Sequence, residues 1–416
     1  MIVSVIGLGY IGLPTAAVIA SNGIRVTGVD VNQFLVDSIN QGTNYSVEPE
    51  LDNLVQTSIK SGFLKTTSRA EKASVFMIAV PTPFIGDHVP DLSYIESAVK
   101  AIAPVLEKGN LVILESTCPV GATEIMIDWM KIERPDLSFP KFNNNDAKYD
   151  IAVAHCPERV LPGRVIHELV NNDRIIGGVT TQCGEKARNL YDLFVKAECL
   201  ITDCRTAELS KLVENSFRDV NIAFANELSL ICDKLNINVW EMIKLSNHHP
   251  RVNILQPGPG VGGHCIAVDP WFIVNSAPNE AKLIHTARLV NDSKPNFIMD
   301  KINQAIKAIK KNKSEIKIAC FGLAFKPNID DLRESPALHI AMLLSSMKFN
   351  EVILVEPNIS QLPKEFDGTR TKLTSVDKSL KIADIVVLLV DHKEFFDIDL
   401  SLLSGKQIVD TRGIWS

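Results

Sequence analysis

The chain has 416 residues, of which 46% are hydrophobic and 22% charged, and its formal net charge is -6. Such a length asks for two or three domains, each with its own core, and such a charge lacks the basic excess that non-specific nucleic-acid binding needs. With no unbroken apolar span of about 18 residues and no basic leader, a cytoplasmic protein without membrane contact is expected, whose anionic ligands are held by local cations.

The opening MIVSVIGLGYIGL reads as a strand running into a glycine turn, and LPTAAVIASNG continues as a helix closing on Gly23. A second apolar run, IRVTGVD, ends on Asp30, 18 residues after Gly12. In a dinucleotide-binding unit Gly7 makes the tight turn, Gly9 lets a pyrophosphate approach backbone N–H groups, Gly12 permits close helix packing, and Asp30 meets the ribose hydroxyls. NAD is therefore the expected cofactor. Further strands at Ser74–Val80 and Leu111–Leu114 end in PTP and ESTCPVG, which points Thr82, Ser116, Thr117 and Thr123 at the nicotinamide side.

After another strand-like run, AHCPERVLPGR offers Glu158 as an acid or base. A proline-free helical segment follows from about Thr206 to Ser246. Its apolar positions Leu212, Phe217, Val220, Phe224 and Leu228 suit a core stripe or a subunit interface. Lys211, Asn215 and Arg218 share one face and can hold an oxyanion or phosphate there.

The stretch NHHPRVNILQPGPGVGGHC cannot be a regular element. It brings His249 and Arg251 close in sequence to Cys265, with Asp269 four residues later. Four glycines and two prolines between Pro257 and Gly263 suit backbone wrapped around a ligand. A thiol there is a nucleophile if a cation such as Lys211 lowers its usual pKa of about 8.5. The eight cysteines form no CxxC pair, so no disulfide framework is indicated. The neighbours His155-Cys156 and His264-Cys265 lack a second pair, and no metal is expected.

The last hundred residues repeat the opening grammar. KIACFGLAFKP resembles the first strand and turn, EVILVEPN resembles RVTGVDVN, and IADIVVLLVDHKEF resembles ASVFMIAVPTPF. GxGxxG is lost in this copy, so a second dinucleotide is not held in the same way. Its turn instead offers Lys326 and Arg333.

In order, GLGYIG, PTP, EST, PER, KLVENSFRDV, GVGGHCIAVDP and GLAFKPNIDDLRESPA resemble the UDP-glucose/GDP-mannose dehydrogenase family over nearly the whole chain. The resemblance implies an α/β protein: two Rossmann-like doubly wound domains joined by a long central helix and a helical middle domain. The domains are expected at residues 1–198 (NAD), 199–296 (catalytic cysteine loop and homodimer interface) and 297–416 (UDP-sugar). It further implies a 6-dehydrogenase of polysaccharide precursors that takes a primary alcohol to a carboxylate by two hydride transfers. In that chemistry Cys265 forms a thiohemiacetal and then a thioester, Lys211 and Asn215 stabilise the oxyanion, Asp269 with Thr117 directs water, and Glu158 is an acid/base group.

By the same resemblance Tyr10, Ile11, Asp30, Thr82, Thr123 and Arg333 contact NAD. Arg159, Val160, Lys211, Asn215, Arg218, His249, Arg251, Gly262, Phe325 and Lys326 line the sugar nucleotide. The pattern is nearest to bacterial members acting on UDP-N-acetyl-D-mannosamine, with UDP-glucose, UDP-N-acetylglucosamine and GDP-mannose as alternatives. One departure is Pro162, where enzymes for UDP-glucose carry a second glutamate.

Overall fold

A computed structural model describes every residue except 43–48, 87, 147, 161–162, 264, 348 and 416, so Pro162 and His264 lie outside the described residues. The chain divides into two compact units, Met1–Glu214 and Asn215–Ser416.

The first unit contains β1 (Ile2–Ile6), β2 (Arg25–Val29), β3 (Leu64–Thr67), β4 (Val75–Ile78), a short hairpin of β5 (Phe84–Ile85) and β6 (Val89–Pro90), then β7 (Leu111–Leu114), β8 (Ala152–His155), β9 (Arg174–Gly178) and β10 (Cys199–Asp203). Eight of these form one sheet in the order β10-β9-β8-β7-β4-β1-β2-β3. Only the β8–β9 pair is antiparallel among them. The residues of β4, β7 and β8 are all buried, as strands covered on both faces must be. Strand order reverses between β1 and β4, and at such a switch point ligands bind beyond the carboxyl ends, here past Ile6 and Ile78.

A helix from Cys204 to Leu235 runs through the boundary into the second unit. The continuous helix expected to Ser246 is in fact two. Asn236 adopts a left-handed φ of 56°, and the Asn238 side chain accepts from Trp240 N and Glu241 N to start a new helix, Val239–Ser246. Asparagine is among the few residues that do both cheaply. Of the apolar stripe, Leu212 is buried, but Phe217 is 68% and Phe224 52% exposed, so those two are not core.

The second unit closes with β11 (Lys317–Phe321), β12 (Glu351–Val355), β13 (Thr371–Leu373), β14 (Ile385–Leu388) and β15 (Gln407–Asp410), all parallel in the order β13-β12-β11-β14-β15. Parallel sheets thus stand at both ends of the sequence with a helical region between. A buried polar chain organises that region. Arg288 donates to Asp219 at 2.6 Å, Asn291 to Asp219 at 2.8 Å, Asn226 to Asn291 at 2.8 Å, and Gly258 N to Asn226 at 2.9 Å. It ties the proline-glycine loop to two helices through side chains that water cannot replace. Among the described residues no helix is long and apolar enough to cross a membrane.

Candidate active site

The glycine turn after β1 is shaped by contacts that no side chain could share. Gly7 has φ +89°, and a Cβ on it would lie 2.7 Å from Ala79 O; one on Gly12 would lie 1.8 Å from Gly7 O. A Cβ on Gly9 would meet nothing within 4 Å, so the backbone there faces open space, as approach of a pyrophosphate needs. The helix Gly12–Ser21 that follows has no acid in its first turn to oppose an anion. Asp30 stands at the end of β2 and accepts from Leu8 N at 2.8 Å and Asn32 N at 2.9 Å, which fixes its carboxylate beside the turn. Tyr10 and Ile11, partly buried, complete the turn. These residues fit a dinucleotide.

Beyond β4 and β7 the two loops are laced together: the Thr82 hydroxyl donates to Thr117 O at 2.5 Å and Ser116 to Val80 O at 2.6 Å. Thr123, expected on the cofactor, is wholly buried and gives its hydroxyl to Glu208 at 2.6 Å. Its proton is therefore committed within the protein.

Glu158 is also turned inward. One oxygen accepts from Arg174 at 2.7 Å and the other from Arg159 N at 2.6 Å, with Arg174 itself 2% exposed. Behind them lies a second buried acid, Glu115, whose carboxyl is pushed up to about 8, first by burial and then by the Glu158 charge, against the pull of Arg174. Acid/base use of Glu158 asks it to leave Arg174. The Arg159 guanidinium is engaged with Glu214 at 2.6 Å and Asp173 O at 3.1 Å, and Val160 packs partly against the core.

Cys118, His155 and Glu208 place potential metal-ligand atoms within 4.8 Å of one another, a grouping distinct from the His-Cys neighbours in sequence. Both Glu208 oxygens already accept hydrogen bonds, from Gly121 N at 2.7 Å, Thr123 N at 2.8 Å and the Thr123 hydroxyl, so that carboxylate is engaged within the protein, while the buried His155 Nε2 has no partner among the described residues. Burial pushes the His155 imidazole down to about 3.

In the second unit, Cys265 is the one exposed thiol; the other seven cysteines are buried. Its carbonyl accepts from Val268 N at 3.0 Å and Asp269 N at 2.9 Å, a turn that leads into the helix Asp269–Ser276. Asp269 is 3% exposed, and the Asn215 amide donates to its carboxylate at 2.5 Å. The sequence 54 residues apart thus closes into one group. Lys211 precedes Asn215 by one turn of the same helix.

The glycine loop before Cys265 packs on the segment after β11. A Cβ on Gly262 would lie 2.4 Å from Glu334 O and 2.9 Å from the Phe325 Cβ, and Gly263 N donates to Arg333 O at 3.2 Å. Lys326 Nζ stands 5.7 Å from the Phe325 ring centre. The Arg333 guanidinium is held by Asp331 at 2.6 Å. Arg218, His249 and Arg251 are exposed, and Arg251 N donates to His249 Nδ1 at 3.3 Å.

The UDP-glucose/GDP-mannose dehydrogenase family matches along the chain: its NAD binding domain at residues 1–195, its central domain at 205–293 and its UDP binding domain at 319–416. The chain belongs to this family. It is an NAD-dependent nucleotide-sugar dehydrogenase, with NAD bound by the first of these domains. An NDP-N-acetyl-D-galactosaminuronic acid dehydrogenase of Ralstonia nicotianae is 58% identical over all of this chain and 96% of its own length. A UDP-N-acetyl-D-mannosamine dehydrogenase of Escherichia coli is 57% identical, covering 99% of both. The solved structure of a UDP-D-ManNAc dehydrogenase from Pyrococcus horikoshii superposes with a TM-score of 0.86 at 39% identity, over 100% of this chain and 96% of that one.

Within this family member, sequence reading had overlooked Arg174, Glu115 and Glu208. A lone cation heading the strand RIIGG was the available signal for Arg174, since a buried strand tolerates one only if it is paired. Glu115 was visible only as the first residue of the EST motif, and Glu208 carried no signal.

Proposed function

We propose that the chain oxidises the C6 alcohol of UDP-N-acetyl-D-mannosamine to the carboxylate, a four-electron reaction. The observation supporting this most strongly is the exposed Cys265 one turn before the Asp269–Asn215 pair. A simple alcohol oxidation needs no nucleophilic thiol; an aldehyde-to-acid step does.

Bound NAD supplies hydride acceptance, twice per sugar. Cys265 adds to the intermediate aldehyde as a thiohemiacetal, and oxidation of that adduct leaves a thioester on the same sulfur. Asn215 and Lys211 offer N–H donors to the oxygen that becomes negative in each tetrahedral species. Asp269, oriented by Asn215, accepts a proton from the water that cleaves the thioester. Thr117 and Glu158 are the candidates from the NAD-binding unit for directing water and moving protons, and Arg174 holds Glu158 in place until it is needed. Phe325, Lys326, Gly262, Arg218, His249 and Arg251 are the residues of the second unit proposed for the sugar nucleotide.

Along the long helix Leu209, Val213, Phe217, Phe224, Ile231 and Leu235 are all exposed, at spacings of four and seven that keep them on one face. A second copy of the chain is the proposed cover, giving a homodimer. The reaction is placed in the cytoplasm.

The deciding experiment counts NADH per sugar with excess NAD and limiting UDP-N-acetylmannosamine. Two equivalents support the thioester route; one equivalent reduces the reaction to alcohol oxidation. The Ralstonia relative favours a second reading, the same chemistry on an N-acetylgalactosamine nucleotide, and a parallel assay on that sugar separates the two.

A further inference from the structure

The two sheets superimpose in register as well as in order. In the first unit Ile6 pairs with Val29 and Ile78; in the second Phe321 pairs with Val355 and Leu388. Gly7 N donates to Val29 O and Gly322 N to Val355 O, both at 2.8 Å, and both glycines have a left-handed φ. Counting from these pairs, Asp30 corresponds to Glu356, Asn32 to Asn358 and Thr82 to His392. Asp30 and Thr82 are residues proposed for NAD in the first domain.

In the second domain their counterparts are bonded to each other. His392 Nε2 lies 2.9 Å from Glu356 Oε2, with both side chains fully buried. Glu356 also accepts from Leu323 N at 2.7 Å, Ala324 N at 3.1 Å and Asn358 N at 3.1 Å. Burial alone would raise its carboxyl, but the His392 and Leu323 bonds outweigh that and hold it below the usual range.

The other ring nitrogen, Nδ1, faces two donors: Asn328 N at 2.9 Å and the Asn358 amide at 3.1 Å. A nitrogen between two N–H groups carries a lone pair, so Nδ1 accepts and Nε2–H donates to Glu356. Asn328 has φ +61°, and its side-chain oxygen accepts from Lys393 N at 3.0 Å, which fastens the turn a second time.

We infer that His392 is a positioning residue for the UDP moiety: it occupies the place a dinucleotide would need beside Glu356 and anchors residues 323–328, which present Phe325 and Lys326. The inference rests on the UDP-sugar reading of this domain. Without the imidazole, Glu356 would be open to a ribose as Asp30 is, and the Asn328 N–H would lose its acceptor.

Two variants of the full-length chain separate the two ends of the ring. His392→Gln keeps a donor for Glu356 but removes the acceptor for Asn328; His392→Asn keeps an acceptor near Nδ1. UDP and NADH are titrated by calorimetry. The Gln variant should bind UDP about tenfold more weakly and NADH within about twofold of wild type, with the Asn variant recovering most of the UDP affinity. Unchanged UDP affinity in the Gln variant, or equal losses of UDP and NADH, would overturn the assignment. Amide exchange in the wild-type chain supplies a readout independent of mutant folding. The Asn328 amide should be protected before UDP is added, and free exchange there would also overturn it. A wild-type chain that binds no UDP would instead remove the UDP-sugar reading on which the inference stands.

Discussion

The Asn215 amide donates to the Asp269 carboxylate at 2.5 Å, joining the long helix to the helix that begins one turn after Cys265. A carboxylate that is 3% exposed depends on donors of this kind for its orientation. Asn215→Ala is therefore expected to lower kcat on the order of 100-fold, with KM for NAD unchanged. Lys211→Ala should cost at least as much. Steady-state kinetics on the two variants test both, and an unchanged kcat for either would remove that residue from the oxyanion role.

Cys265→Ala should abolish acid formation while leaving UDP affinity within about twofold, because the thiol forms a bond in the reaction and not in nucleotide binding. Product analysis by mass spectrometry decides. Uronate made at an undiminished rate by this variant would end the thioester mechanism.

Asp30→Ala should raise the Kd for NADH by roughly tenfold or more and leave UDP binding unaffected. The same change frees Leu8 N and Asn32 N, so some loosening of the glycine turn is part of the effect. Equal loss of both ligands would point to a damaged fold.

Glu115 predicts a pH-dependent stability. Its folded carboxyl titrates near 8, whereas in the unfolded chain it titrates near about 4.3. Its contribution is complete below about pH 4 and is lost as pH rises toward 8, since the unfolded chain releases the proton first. His155 acts oppositely: pushed down to about 3 by burial, it contributes above about pH 6.5 and loses that contribution as pH falls. Between pH 5 and 6.5 the two oppose each other, so urea midpoints should decline for the wild type mainly between about pH 6.5 and 8 and stay level over that range in Glu115→Gln. Parallel slopes would exclude Glu115 as the cause.

Phe224→Glu should convert the proposed dimer to monomer, as charge on a stripe shared with Phe217 and Ile231 cannot be covered by its own copy. Sedimentation of the variant at micromolar concentration checks this. A wild-type chain that is already monomeric would leave the stripe without its proposed cover.

The dinucleotide turn was readable in the sequence because GLGYIG stands between a strand-like run and a helical one with Asp30 at the expected distance, although the contacts that crowd Gly7 come from Ala79 and Val80. The second sheet was readable for the same reason, as were Cys265 and Asp269, whose spacing is one helical turn. The helix break at Asn236 was not, because LNINVW keeps a helical hydropathy and the stop lies in the backbone preference of two asparagines. Nor was the inward turn of Glu158. Its partner Arg174 is 16 residues away at the start of β9, and no local pattern in PERVLPGR announces whether a glutamate will face water or a buried cation. The burial of Thr123 was hidden in the same way, since Glu208 reaches it from 85 residues downstream.

Seven cysteines lie inside the protein and one lies at its surface. A maleimide added to the native enzyme should therefore report a single equivalent per chain, and under the proposed mechanism that equivalent counts catalytic centres. The same arithmetic exposes the proposed mechanism to oxidation: an oxidant has one surface thiol to find, and each sulfur lost would remove one centre from use.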